Sequence, residues 1–153
     1  MGKVFTRIAR RAMFSAQEEA AKRGNQFVSP EHLLLALLQD EKLISARLIA
    51  RMGLSCQELC AVLEPQIERS EPPFAPFSKA MHLTPAAHRA VDLAYTERQT
   101  LGEGLLGTEH LLLGIVTGSE TPAAQVLAAA GVDLERTRRA LVELHNTSTN
   151  SAP

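Results

Sequence analysis

The chain is poor in the features that mark several protein classes. It holds two cysteines, Cys56 and Cys60, four residues apart, which cannot make a disulfide framework. It has no tryptophan and 4% aromatic residues, so no aromatic platform interleaves its charges to stack nucleic-acid bases. The longest uninterrupted apolar run, Leu33 to Leu38, is six residues, far below the roughly 18 that a membrane span needs. No apolar signal segment follows Met1. Sixteen Lys and Arg against 17 Asp and Glu leave a net charge of -1 and no global basic field to attract nucleic acid. β-Branched aliphatics are also scarce, 8 Val and 5 Ile against 22 Ala and 22 Leu, which excludes an all-β fold. These absences predict a soluble helical protein of a reducing cytoplasm, with no nucleic-acid or membrane partner. Lys3, Arg7, Arg10, Arg11, Lys22 and Arg23 loosely suggest a transit peptide, but Glu18 and Glu19 argue against one.

What is present is a duplication. Sliding the sequence by 78 residues superposes Thr6 on Thr84, Gly24 on Gly102, Glu31-His32 on Glu109-His110 and Gly53 on Gly131 without a gap. Between positions 5–66 and 83–144, 16 of 62 pairs are identical, and the longest shared block is Glu-His-Leu-Leu-Leu. The period is too long for a TPR or ankyrin array, so each copy is a multi-helix unit.

Caps and periodicity divide each copy into four helices. Thr6 and Thr84-Pro85 open the first, and Gly24 and Gly102 stop it. Ile8, Ala9, Ala12 and Ala16, or Ala87, Ala90, Val91, Ala94 and Leu101, form its inner face. The second starts near Ser29-Pro30 or Gly107-Thr108 and is hydrophobic all round, hence central. The third runs from about Leu43 to Met52 or Pro122 to Ala130, each before a glycine. The fourth follows Ser55 or Asp133 and carries Leu59, Val62 and Leu63, or Leu141 and Leu144. The expected architecture is all-α: two four-helix repeats, residues 3–69 and 83–146, packed with pseudo-two-fold symmetry. A proline-bearing linker, 70–82, joins them within a domain spanning 1–146, and a flexible polar tail covers 147–153.

No Gly-x-x-x-x-Gly-Lys-Ser/Thr phosphate loop and no Gly-x-Ser-x-Gly occur, and no cysteine pairs with a base in a motif. The chain is read as a non-enzyme without cofactor. His32 and His110 each stand alone, and Cys56 and Cys60 have no second pair, so no metal site is expected. The histidines are better explained as partly buried groups bonding backbone, and the cysteines as core or half-exposed packing.

Glu31 and Glu109 fall in a first helical turn and admit two readings. Either they complement the helix dipole, or their carboxylates stand beside free N–H groups that together hold a guanidinium and a phosphate. The motifs Phe-Thr-x-x-Ala, Gly-Thr-Glu-His-Leu-Leu-Leu-Gly at 107–114 and Ser-Pro-Glu-His-Leu-Leu-Leu-Ala at 29–36 resemble the N-terminal repeat domain of the Clp unfoldases, ClpC and ClpA above all. The resemblance covers about residues 3 to 145. It implies an eight-helix pseudo-two-fold bundle that receives substrates and adaptors for a Clp ATPase and protease.

In ClpC-like members, the resemblance further implies, the matching glutamates engage phosphoarginine on tagged proteins. The corresponding residues are Thr6, Arg10 and Glu31 in copy one, and Thr84, His88, Thr108 and Glu109 in copy two. Pro30 stands where copy two has Thr108, removing a hydroxyl and an N–H, so the Thr84–Thr108–Glu109 group is expected to be the stronger site. Arg10 keeps a permanent cation where His88 does not. Adaptor binding without phosphoarginine is an equal expectation. The alternatives are an accessory protein docking on the Clp protease and a regulatory helical protein unrelated to proteolysis.

Overall fold

Threonine caps open the two long helices. The Thr6 hydroxyl accepts the Ala9 amide at 2.9 Å and starts α1 (Arg7–Lys22), while Thr84 accepts the Ala87 amide at 3.1 Å and starts α5 (Pro85–Leu101). The computed structural model describes residues 5–69, 82–102, 104–118 and 120–150, the last four of these by backbone alone. The remaining elements are α2 (Pro30–Gln39), α3 (Ile44–Arg51), α4 (Cys56–Leu63) with a 3-10 turn at Glu64–Gln66, α6 (Thr108–Thr117), α7 (Pro122–Ala129) and α8 (Leu134–Asn150). The fold is all-α with eight α-helices among the described residues, four per copy. None of these helices alone is long and apolar enough to cross a membrane.

The all-round apolar helices lie in the centre, as their composition requires. Leu33, Leu34, Leu35, Leu37 and Leu38 on α2 and Leu111, Leu112, Leu113 and Ile115 on α6 are all at most 2% exposed. α5 packs on α6 through Gly114, where a Cβ would overlap the carbonyl of Ala90. Copy one carries Ala36 at the equivalent place, so its long helix has no matching notch.

Two short parallel pairings bind the copies crosswise. Strand β1 (Phe27–Val28) pairs with β2 (His82–Leu83), with Val28 opposite Leu83, and Phe5 forms an isolated bridge to Leu106. Adding the 78-residue offset converts Phe5 into Leu83 and Val28 into Leu106, so the two pairings are symmetry mates. The same relation holds for Thr6 N–H to Leu106 O at 3.0 Å and Thr84 N–H to Val28 O at 2.8 Å. Each copy's first helix is therefore anchored by the segment leading into the other copy's second helix.

Several expectations are corrected. Ile8, placed on an inner face, is 55% exposed, and Val62 on α4 is 54% exposed. Ile8 precedes the buried stripe Ala9, Ala12, Ala16 and Ala20 by one residue, a rotation of about 100° off the core. Val62 likewise lies one residue before buried Leu63. The backbone of α8 continues to Asn150, four residues into the expected tail, because extending an existing helix is far cheaper than starting one. His82, expected in the linker, belongs to β2, and residues 70–81 of that linker lie outside the described residues.

Gly53 and Gly131 follow α3 and α7 with φ of +81° and +88°. A Cβ on Gly53 meets nothing within 4 Å, whereas one on Gly131 would approach Arg136 Nη1 at 3.1 Å. Gly53→Val thus isolates the cost of the left-handed backbone. Urea unfolding should show a loss of about 1–2 kcal/mol, with helix content at 25 °C unchanged. An unaltered midpoint would show that the position is not conformationally restricted.

Candidate functional site

The crossed pairings decide which candidate residues meet. Because Thr84 bonds Val28, it lies beside the start of α2, and Thr84 and Glu31 line one open cleft of about 380 Å³ together with Ser29, Gln66, Pro122 and a second carboxylate, Glu68. Thr6 bonds Leu106 and so stands by the start of α6, where Glu109 is. The groupings read from the sequence, Thr6 with Glu31 and Thr84 with Glu109, are exchanged between copies. Arg10 and His88 are exposed one turn along α1 and α5.

The two glutamates do different things. Glu31, half-buried, accepts the Ala123 amide on Oε2 at 2.9 Å and so caps α7 from another repeat. The residue equivalent to Ala123 in copy one is Ser45, and its amide is taken at 3.3 Å by the Thr108 hydroxyl instead. Thr108 is 3% exposed, and its hydroxyl serves as an acceptor inside the bundle. Pro30 has no hydroxyl to offer, and Glu31 fills the role that Thr108 fills opposite. Relieved of it, Glu109 is 7% exposed, and its carboxyl lies against Gly107, where a Cβ would overlap it. The cleft with an accessible carboxylate is the Glu31 cleft, the reverse of the order expected from the threonine.

The histidines close helix N-termini. Ser29 N–H donates to His32 Nδ1 at 2.9 Å while the Ser29 hydroxyl lies 3.4 Å from the His32 amide; the ring proton then sits on Nε2 and is donated to Asn25 Oδ1 at 2.9 Å. Gly107 N–H donates to His110 Nδ1 at 2.9 Å. Both rings are buried, 3% and 0% exposed, more deeply than expected. Burial, with Arg23 adding repulsion, pushes His32 down to about 4. Cys56 and Cys60 are half-buried against the core, and burial lifts the Cys60 thiol to about 11. Among the described residues no three His, Cys, Asp or Glu side chains converge on a point that could hold a metal ion.

Comparison with known proteins fits this geometry. The profile of the Clp repeat (R) N-terminal domain matches residues 4–130 and again 105–152. The chain belongs to the Clp repeat N-terminal domain family. It is 34% identical over 140 residues to the negative regulator of genetic competence ClpC/MecB of Bacillus subtilis, covering 92% of this chain and 17% of that protein. It is 32% identical over 148 residues to the chaperone protein ClpB of Oceanobacillus iheyensis, covering 97% and 18%. The chain thus spans less than a fifth of the length of these relatives. The Hsp104 N-terminal domain of Candida albicans superposes with a TM-score of 0.75 at 18% identity, over 94% of this chain and 92% of that one. The ClpV N-domain of Vibrio cholerae gives 0.75 at 14%, over 91% and 83%.

Sequence reasoning missed one pair of groups in this Clp repeat domain. Glu19 and Glu97 are equivalent across the copies and each is 5% exposed. Arg23 Nη1 donates to Glu19 at 2.7 Å and its other amino group reaches Glu64; Arg138 grips Glu97 with bonds of 2.9 and 2.6 Å. Burial alone would raise Glu19, but Arg23 and Lys22 outweigh it and hold its carboxyl below the usual range. The signal was the identity itself: a charged residue kept at one position of both long helices amid buried alanines.

Two stability predictions come from the Clp repeat's capping groups. An unfolded histidine takes up its proton near pH 6.5, whereas folded His32 resists until about 4. Stability should therefore be full above pH 6.5 and fall as pH drops toward 4, by up to about 1.4 kcal/mol per pH unit. His32→Asn should flatten that window in chemical unfolding at stepped pH; an unchanged slope would assign the loss to other groups. Glu31→Ala should destabilise by about 0.5–2 kcal/mol through loss of the α7 cap, while Glu31→Gln, which keeps an acceptor, should cost less. Thermal unfolding of the two variants side by side reads the difference.

Proposed function

We propose that this chain is a non-catalytic recognition domain that receives adaptor proteins and tagged substrates for a Clp-type ATP-dependent protease or chaperone. Family membership supports the recognition role, and the relatives' own names supply the ATP-dependent partner. The observation that carries the finer reading is the open cleft shared by Glu31 and Thr84. It juxtaposes a carboxylate suited to a guanidinium with a hydroxyl at a helix N-terminus suited to a phosphoryl group. Phosphoarginine presents both a guanidinium and a phosphoryl group on one side chain. At the other end of the pseudo-two-fold, Glu109 is covered and Thr108 is committed to Ser45, so that site is the weaker one.

Calorimetric titration with a phosphoarginine peptide tests this. Glu31→Gln keeps an acceptor for Ala123 but removes the charge, and should weaken binding at least tenfold, in keeping with about 1.5–3 kcal/mol for a charge-assisted bond. Thr84→Ala should weaken it as well, and Glu109→Gln by less than threefold. Equal losses at Glu31 and Glu109 would overturn the asymmetry. Absence of binding by the unsubstituted chain would confine its ligands to unmodified adaptors and substrates.

A further inference from the structure

The duplication provides an internal control for surface chemistry. Two grooves lie on equivalent faces of the bundle. One, of about 350 Å³, is lined by Ile8, Arg11, Ser15, Lys42 and Leu43, with Asp40 and small alanines; the other, of about 450 Å³, by their equivalents Ala86, Arg89, Leu93, Glu120 and Thr121. Since both copies build the same fold, exposed positions that differ between the grooves are not dictated by that fold.

Ser15 becomes Leu93 and Asp40 becomes Gly118, but the larger differences make copy one the more cationic face. Lys42 becomes Glu120, and Ile8, 55% exposed, becomes Ala86. Arg11 and Ser15 also line an adjoining hollow that contains Arg7, Arg10 and Phe14, the last 47% exposed. The equivalents of Arg7, Arg10 and Phe14 on α5 are Pro85, His88 and Asp92. Copy one therefore presents a strip whose lining holds Arg7, Arg10, Arg11 and Lys42 against Glu18 and Asp40, with Glu41 exposed beside Lys42. Ile8 and Phe14 stand out of it nearly two helical turns apart. Exposed large apolar side chains rimmed by charge of one sign mark an interaction surface.

We propose that this strip on α1 and the turn before α3 docks an acidic amphipathic segment of a partner protein. Its apolar side chains would seat beside Ile8 and Phe14, and its carboxylates would face Arg11 and Lys42. Charge complementarity selects this occupant: a neutral apolar segment would have to desolvate Arg11 and Lys42 without pairing them, whereas carboxylates on the segment would pair with both. The surface is distinct from the Glu31–Thr84 cleft and does not depend on phosphoarginine being bound there.

The test uses the full chain and a fluorescein-labelled 14-residue peptide with Leu at helical spacing and Glu elsewhere, followed by fluorescence anisotropy. The double reversal Arg11→Glu/Lys42→Glu, both at exposed positions, should weaken binding at least tenfold. Arg89→Glu in the second groove should change it less than twofold. A peptide with Lys for Glu should bind the reversed variant better than the unsubstituted chain, and replacing Leu by Ser should weaken binding at least fivefold. Phosphoarginine-peptide affinity should be unchanged in the double reversal, which separates failure here from failure of the cleft reading. Equal loss with Arg89→Glu, equal binding of the Lys peptide by the unsubstituted chain, or no binding of the Glu peptide would overturn the proposal. So would random-sequence duplex DNA or phosphatidylserine vesicles binding through Arg11 and Lys42 more tightly than the peptide.

Discussion

Everything in this bundle depends on the crossed backbone bonds from Thr6 to Leu106 and from Thr84 to Val28. A buried N–H or C=O must find a partner, and here each finds it in the opposite copy. These two bonds orient the long helices over the apolar pair α2 and α6, and they bring each cap threonine to the other copy's acidic helix start. The same crossing sends Glu31 to the amide of Ala123 and Thr108 to that of Ser45. Core, caps and cleft thus share one geometric origin.

The helices were legible because each carries its own punctuation. Threonine or serine caps, prolines at first positions and terminal glycines are local signals, and all eight helices began or ended within a few residues of them. The crossing was not legible. Strands of two residues carry no alternation, and a fixed offset states that Thr6 is equivalent to Thr84 without stating whose glutamate each one meets. The site residues were therefore found while their partners were exchanged. Thr108 shows the same limit: its type suited an anion, and only its position against Ser45 reveals a hydroxyl already engaged. Glu19 and Glu97 were missed for a different reason, since a carboxylate on a long helix reads as a solvated charge until its 5% exposure is seen.

Pseudo-symmetry also sorts structural from adaptable positions. Residues doing identical work, such as the capping threonines, His32 and His110, or the buried glutamates, are the same in both copies. Where Pro30 faces Thr108, one exchange is answered by another, and a helix cap passes from a hydroxyl to a carboxylate. Where Lys42 stands for Glu120, or Phe14 for Asp92, the two outer faces have diverged in charge and apolar exposure.

The crossing has a consequence for connectivity. The anchors of each first helix lie on the other copy, so a single copy is an incomplete folding unit, with its Thr6 or Thr84 amide lacking the carbonyl it bonds. Two separate single-copy polypeptides would have to find each other to restore both bonds, and their stability would rise with concentration as in an obligate dimer. In covalent form the segment joining the copies converts that second-order encounter into an intramolecular one, with an effective concentration set by its own length. Covalent connection thereby adds to the cohesion that the crossed bonds supply, apart from any role in recognition.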